Sequence, residues 1–347
     1  MRGIVVTVFF LAPLLACGGD SASPGDPVQT PRADTARVPL TDLGSGTYRG
    51  FTGGLYPNGS NTMPASHAAR GLTQARLIQP LDVQGRPAAN GKYVLLSIGM
   101  SNVTQEFCAE TGTTCNAWTF SGKAAADPSV NHTTLVIANG AKASQTADLW
   151  DSPTEFNYVR VRDSVLAPRG LSEAQVQVVW MGPVRRDPTV SLPDPNADAY
   201  ILETWLGDVV RALKIRYPNL RKIYVSSRTY AGFATITLHP EPFAYETGFA
   251  YKWLVEAQIH QFDSGVIDSR AGTLAFAGAP WIGWGAYFWA GDASHPRSDG
   301  LFWVRSDFEG DGTHESTSGE EKAARMLFEF FKASVQSRCW FLAGQTC

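Results

Sequence analysis

Four short runs made up mostly of apolar residues stand out along this chain. They span residues 93–98, 134–138, 176–180 and 222–226. A strand with one exposed face alternates apolar and polar residues, whereas a strand covered on both faces gives an unbroken apolar run. The pattern therefore predicts four strands of a parallel sheet that is buried on both sides.

Three segments with helical periodicity lie between or after these runs, at residues 197–217, 243–259 and 320–335. Strands that alternate with helices favour right-handed crossovers and a sheet with helices on both faces. We therefore predict an α/β fold with three α/β/α layers around a central, mostly parallel sheet. The active site of such a fold lies beyond the carboxyl ends of the strands.

Composition narrows the class of protein. Hydrophobic residues make up 44% and charged residues 18% of the 347 residues, which is typical of a folded protein with a sizeable core. The 29 Lys and Arg nearly balance the 32 Asp and Glu, for a formal net charge of −3. Binding to nucleic acid needs a basic excess, so a nucleic-acid partner is not expected.

The N-terminus has the pattern of an export signal. Arg2 is followed by an apolar run over residues 4–16, which is too short to span a bilayer. The run ends in Leu-Leu-Ala-Cys, which resembles a bacterial lipobox with Cys17 as the lipidated residue. Residues 1–17 are thus predicted to be a lipoprotein signal segment; the alternative is ordinary secretion with an incidental cysteine.

The rest of the chain divides into a tether and one domain. Residues 18–38 are rich in Ser, Pro, Asp, Gly and Thr and show no apolar periodicity, which indicates a flexible tether. Residues 39–347 are expected to form a single domain with its core at about 92–335. Within that domain, the loop-rich segment 47–91 is expected to supply a wall of the pocket.

The cysteine count fits an exported protein. Five cysteines are present, and setting Cys17 aside leaves Cys108 near Cys115 and Cys339 near Cys347. In an oxidising compartment, two short-loop disulfides are the simplest arrangement. A zinc site is the alternative, but the spacings do not suit zinc and no histidine lies near either pair.

Two short motifs carry candidate chemistry. Ser101 follows the first predicted strand and Gly99, where a tight turn presents a hydroxyl; the alternative is a helix-capping serine. Asp311 precedes His314 by three residues, close enough for the carboxylate to orient the imidazole. The alternative there is a helix-capping aspartate beside an exposed histidine.

Together these motifs resemble the SGNH (GDSL-like) hydrolase family over about residues 92–332, with its flavodoxin-like sheet. The family keeps its nucleophile after the first strand and an Asp-x-x-His motif near the C-terminal end. The resemblance implies that Ser101 is the nucleophile, His314 the base and Asp311 the acid. It also implies an oxyanion hole built from the backbone N–H groups of Ser101 and Gly140.

One family block is missing. The family has an Asn after the third strand whose side chain also binds the oxyanion, whereas residues 180–187 contain no Asn. Arg185 stands nearest to that place. Asn102 or an arginine is the candidate replacement donor.

Further candidate residues follow the end of the fourth predicted strand. Arg228 and Tyr230 follow the fourth strand and are predicted to bind substrate; an ordinary loop is the alternative. The aromatic segment 280–285 suits either a sugar platform or buried packing, the second being favoured for at least half of its rings. The five remaining histidines show no ligand spacing, so neither a metal nor a cofactor is expected.

These features predict an extracytoplasmic, membrane-anchored bacterial lipoprotein that acts as a serine esterase through an acyl-enzyme. The family resemblance on the carbohydrate-esterase side suggests O-acetyl groups of a glycan as substrate. The alternatives are a lipase or thioesterase of the same family, or a lipoprotein that binds glycans without catalysis on a decayed hydrolase fold.

Replacing Cys17 tests the predicted anchor. Cys17→Ala removes the thiol that would carry the lipid, so we expect the protein to move from the membrane fraction to the soluble exported fraction. Fractionation followed by immunoblotting measures this shift. An unchanged membrane fraction would argue against lipidation at this cysteine.

Overall fold

The computed structural model describes Gly3 and residues 37–109 and 114–347. The chain divides into two units, Met1–Ala33 and Asp34–Cys347, and the description below concerns the second. The predicted signal segment, its Cys17 and nearly all of the predicted tether lie outside the described residues. Val38, the last residue of the predicted tether, is buried.

The described residues contain seven strands and nine α-helices. The strands are β1 Thr47–Tyr48, β2 Phe51–Thr52, β3 Tyr93–Ile98, β4 Leu135–Asn139, β5 Val176–Met181, β6 Lys222–Val225 and β7 Trp281–Trp284. The helices are α1 Leu40–Leu43, α2 Ala65–Arg76, α3 Ser101–Phe107, α4 Phe120–Ala126, α5 Phe156–Arg160, α6 Asp198–Arg216, α7 Phe243–Ser264, α8 Thr317–Ala333 and α9 Arg338–Phe341. A π-helical turn, Val161–Leu166, continues α5, and the 3-10 turns are Pro57–Gly59, Ala147–Leu149, Ala167–Arg169, Glu173–Gln175 and Arg305–Asp307.

The central sheet has the strand order β4-β3-β5-β6-β7, and all its neighbouring strands are parallel. The four predicted strands are present within one or two residues of their predicted ends. The fifth, β7, comes from the aromatic segment 280–285 and was not predicted as a strand. Both of its tryptophans are buried, which confirms packing as the role of these rings.

Alternate residues of the strands pack into two separate cores, one on each face of the sheet. Leu96 and Ile98 of β3 belong to the core that contains α6 and α7, whereas Tyr93 and Leu95 belong to the core that contains α3, α4 and α8. Because both faces are covered, every residue of β3, β5, β6 and β7 is buried. The structure thereby confirms the predicted three-layer α/β/α fold.

The segment before the sheet covers one helix layer. Tyr48 is fully buried, its ring stacks on Phe249 of α7, and its hydroxyl donates to Glu246 at 3.0 Å. The prediction that residues 47–91 form a wall of the pocket was wrong, because none of them lines the cavity that holds Ser101. Within this segment, Tyr48 packs on α7 and His67 of α2 packs on Trp281 of β7 instead.

Two disulfides are present and pair the cysteines as predicted, Cys108 with Cys115 and Cys339 with Cys347. Disulfides persist in oxidising compartments, which supports an extracytoplasmic protein. Within residues 37–109 and 114–347, no helix combines the length and the apolarity needed to cross a bilayer.

The buried carboxyl of Glu246 gives the fold a measurable pH dependence. Burial raises its pKa from 4.5 to about 7, although hydrogen bonds from the Leu192 N–H and the Tyr48 hydroxyl oppose the shift. In the unfolded chain the same carboxyl ionises at its ordinary pKa. As pH rises from 4.5 towards 7, the unfolded state therefore releases this proton first, and stability falls.

We expect Glu246→Gln to reduce this loss. The amide keeps the shape of the side chain and does not titrate, so the decrease in unfolding free energy between pH 4.5 and 7 should shrink by about 1–3 kcal/mol. Urea denaturation at several pH values measures the decrease. An equally steep decrease in the variant would contradict the assignment of Glu246 as a protonated buried group.

Candidate active site

A cavity of about 440 Å³ opens at the carboxyl ends of the parallel strands. Its walls come from the segments that follow β3, β4, β5 and β6, together with the loop before α8. The lining residues are Met100, Ser101, Ala143, Ser144, Arg186, Asp187, Ile236, Thr237, Leu238 and His314. The cavity thus lies where a parallel α/β sheet places its ligand site.

Ser101 is presented by an abrupt change from strand to helix. Strand β3 ends at Ile98 and helix α3 begins at Ser101. A Cβ atom on Gly99 would lie 2.6 Å from Cγ2 of Val103, so only glycine allows the helix to begin this close to the strand. Ser101 is only 6% exposed, and its hydroxyl points to the histidine described next.

The Asp311–His314 segment forms a tight turn around one carboxylate. Oδ1 of Asp311 accepts the backbone N–H groups of Thr313 at 2.9 Å and His314 at 3.0 Å. Gly312 has a φ of +68°, and a Cβ there would lie 1.9 Å from the carbonyl oxygen of Phe233. The glycine therefore lets the turn dock closely against the segment that follows β6.

The three side chains form a continuous hydrogen-bonded chain. Ser101 Oγ lies 2.8 Å from His314 Nε2, and His314 Nδ1 lies 2.6 Å from Asp311 Oδ2. Burial raises the pKa of Asp311, but the hydrogen bonds from the His314 ring and from two backbone N–H groups outweigh it, so the net pKa is lowered. Asp311 is therefore ionised at neutral pH and fixes the imidazole with Nε2 facing the serine.

Gly140 does not take its predicted place. Its N–H donates to Ser97 Oγ at 3.2 Å inside the protein, and the residue does not line the cavity. The predicted oxyanion role was therefore wrong for this amide, because it is already bonded. The same loop reaches the cavity at Ala143 and Ser144, and Ser144 has a φ of +63°, which is unusual for a residue with a side chain.

Asn102 was also predicted as an oxyanion donor, and the structure contradicts this. The residue is 3% exposed, and its Nδ2 group donates to the carbonyl oxygen of Thr313 at 3.0 Å and to Oε2 of Glu315. Both bonds hold the amide behind the His314 loop, so it does not face the cavity.

The two predicted substrate-binding residues pack elsewhere. Arg228 is buried, and its Nη2 lies 3.5 Å from the carbonyl oxygen of Thr313. Tyr230 makes edge contacts with the rings of Phe233 and Trp289. Neither residue lines this cavity, so substrate binding by Arg228 and Tyr230 stays a prediction.

The segment after β5 contributes a charged pair to the cavity. Arg185, which stands nearest to the place of the family's missing Asn, pairs with Asp198 at 2.7 Å and lies over Trp205. Its neighbours Arg186 and Asp187 line the cavity, with Nε and Oδ2 3.5 Å apart and side chains 66% and 53% exposed. Their position just beyond a strand end was the sequence signal that could have found them.

A second Asp-x-x-His motif is present at residues 292–295. Its Asp292 Oδ1 lies 3.3 Å from His295 Nδ1, so the local pairing resembles that of Asp311 and His314. The His295 side chain is 82% exposed, whereas that of His314 is 26% exposed and bonds the Ser101 hydroxyl. The two motifs therefore differ in their tertiary surroundings and not in their spacing.

The remaining histidines are structural or at the surface, as predicted. His67 is buried, stacks on Trp281 and bonds the carbonyl oxygen of Ile282 at 2.8 Å. In the described part of the chain, no group of three or more His, Cys, Asp or Glu side chains is arranged to hold a metal ion.

Comparison with known proteins gives only distant likenesses. No protein-family model matches the sequence, and no curated protein sequence is significantly similar to it. An extracellular lipase from Streptomyces rimosus is 14% identical, with 69% of this chain and 99% of that chain covered and a TM-score of 0.36. A salicylyl-acyltransferase from a tetracycline biosynthetic pathway is 13% identical, with 73% and 58% covered and a TM-score of 0.39.

A protein from Slackia heliotrinireducens described as an SGNH hydrolase is 13% identical, with 69% and 99% covered and a TM-score of 0.33. At these TM-scores the likenesses assign no function to this chain.

Gly312→Ala tests the docking of the Asp311–His314 turn. The new methyl group would clash with the Phe233 carbonyl, and alanine is disfavoured at the positive φ of this position. We therefore expect the free energy of unfolding to fall by about 2–4 kcal/mol. Gly310→Ala is the matched control, since a Cβ there has no atom within 4 Å and its φ is outside the left-handed region. Equal stability of the two variants would show that the turn is not constrained in this way.

Proposed function

We propose that this protein is a serine ester hydrolase of the SGNH (GDSL-like) type. The observation that carries the proposal is the hydrogen-bonded chain from Ser101 Oγ to His314 Nε2 at 2.8 Å and from His314 Nδ1 to Asp311 Oδ2 at 2.6 Å, placed at the mouth of a cavity. A serine, a histidine and an aspartate in this order are the elements of nucleophilic acyl transfer.

In the proposed reaction, Ser101 Oγ attacks the ester carbonyl while its proton passes to His314 Nε2. Asp311 stabilises the imidazolium that forms. Collapse of the tetrahedral intermediate breaks the bond to the alcohol, which leaves with the proton from His314. Water then attacks the acyl-enzyme with His314 again as base, so the acid is released and Ser101 recovers its proton.

The oxyanion of the tetrahedral intermediate needs N–H donors that are already in place. We assign the first to Ser101, whose N–H lies at the start of α3 and has no carbonyl four residues earlier within the helix. We assign the second to the loop residue Ser144, in place of Gly140. The unusual φ of Ser144 at the cavity wall supports this, because such strain clusters at functional positions.

The cavity lining favours a polar alcohol as the leaving group. Arg186, Asp187 and Thr237 provide charged and hydroxyl groups beside the apolar Ile236 and Leu238. Hydroxyl groups of a sugar suit such donors and acceptors, whereas a long acyl chain needs a continuous apolar groove. We therefore propose O-acetyl groups on carbohydrate as the substrate class.

We further propose that the enzyme works outside the cytoplasm, held to a membrane through lipidated Cys17. The two disulfides support an oxidising compartment, and the lipobox-like sequence before Cys17 supports the anchor.

Three substitutions test the catalytic assignment. Ser101→Ala should reduce hydrolysis of p-nitrophenyl acetate to the buffer rate. Asp311→Asn should lower kcat by about 10³–10⁴-fold, because an amide opposite Nδ1 favours the wrong imidazole tautomer. Asp292→Asn is the matched control in the exposed second motif and should retain wild-type activity.

Covalent labelling identifies the nucleophile independently. A fluorophosphonate should modify the wild-type protein on the peptide that contains Ser101 and should leave Ser101→Ala unmodified. Wild-type and Ser101→Ala proteins with equal hydrolysis rates would overturn the proposal. Glycan binding by a wild-type protein that neither hydrolyses esters nor takes the label would indicate the non-catalytic alternative.

A further inference from the structure

A buried polar cluster lies directly behind the His314 loop and takes no part in the chemistry described above. Its central member, Asn102, follows Ser101 in the chain, and another member, Glu315, follows His314. Nδ2 of Asn102 donates to the Thr313 carbonyl at 3.0 Å and to Oε2 of Glu315. One amide group therefore binds the residues on both sides of the histidine.

Glu315 is held from several directions. It is 1% exposed, and its Oε1 accepts the hydroxyl of Thr229 at 2.6 Å while Oε2 accepts Asn102. Glu106 of α3 lies beside it, and burial together with the nearby Glu315 carboxylate raises the pKa of Glu106 well above its usual range.

The cluster connects the two elements that must meet in the site. Asn102 and Glu106 belong to α3, which begins with the nucleophile, whereas Glu315 lies two residues before α8 and follows the base. The guanidinium of Arg228 also lies 3.5 Å from the Thr313 carbonyl, which is the carbonyl that Asn102 bonds. A buried charge without partners is costly, so these bonds hold one arrangement of the loop relative to α3.

We propose that Asn102 and Glu315 are positioning residues that keep His314 Nε2 within hydrogen-bond distance of Ser101 Oγ. This inference rests on the proposed serine hydrolase function. A displacement of about 1 Å between reacting groups lowers a rate by about 10²-fold. The hydrogen bond between Asn102 and Glu315 therefore controls the reactivity of Ser101, because it fixes the position of His314 relative to the serine.

Asn102→Ala removes both donors and should lower kcat for p-nitrophenyl acetate by about 10–100-fold with little change in KM. The rate constant of fluorophosphonate labelling should fall by a similar factor, while the final stoichiometry stays at one label per protein. A merely structural role predicts the opposite result: a smaller labelled fraction that reacts at the wild-type rate.

Reversal of the hydrogen bond provides a rescue. Asn102→Asp alone places two carboxylates together and should be the least active variant. Combined with Glu315→Gln, it restores the hydrogen bond between positions 102 and 315 with donor and acceptor exchanged, but not the bond to the Thr313 carbonyl, and should recover about tenfold of the lost labelling rate. Glu315→Asp keeps a carboxylate but moves it back by one methylene, so its labelling rate should fall as in Asn102→Ala. It provides the same test if Asn102→Ala does not fold.

Gln177→Ala is the control for a general loss of stability. Gln177 is 1% exposed and bonds the backbone of Gln79 from the amino end of β5, away from the cavity. This variant should unfold more easily and still label at the wild-type rate. If Asn102→Ala and Glu315→Asp label at the wild-type rate while Ser101→Ala is inactive, the positioning role is overturned and the serine hydrolase function stands. If Ser101→Ala keeps its activity, the function itself is overturned.

Discussion

The hydrogen bond between Ser101 Oγ and His314 Nε2 joins two residues that lie 213 positions apart in the chain. Nothing local brings them together, so the bond depends on the parallel sheet that places the loop ends at one edge. Strand β3 delivers the serine at the start of α3, and the turn before α8 delivers the histidine. The remaining features of the site hold the start of α3 and the histidine turn in fixed positions relative to each other.

The histidine turn is fixed from two sides. In front, Gly312 allows the turn to approach the Phe233 carbonyl more closely than any residue with a side chain would. Behind it, Asn102 and Glu315 bond within a buried cluster of polar groups. Close packing and directional hydrogen bonds act together here, and a preorganised base is the result.

The fold was predicted well where burial leaves a simple signal. A parallel strand with both faces covered gives a continuous apolar run, so β3 to β6 were readable from the sequence. Strand β7 was missed because Gly283 stands between bulky neighbours, a composition that also suits a loop. Its burial depends on α2 and α7 packing over it, which no local pattern records.

The sequence by itself determined the layer order, the cysteine pairing and the residue types of the site, because hydrophobic periodicity and short spacings are local properties. The tertiary structure shows why the predicted motif, and not the second Asp-x-x-His motif, meets a serine: His314 lies beside Ser101 at the carboxyl ends of the strands, whereas His295 stays exposed. In the folded domain, Asn102 and Arg228 are buried and Arg186 lines the cavity. Where a side chain points depends on contacts between distant segments, and these form only when the whole domain packs.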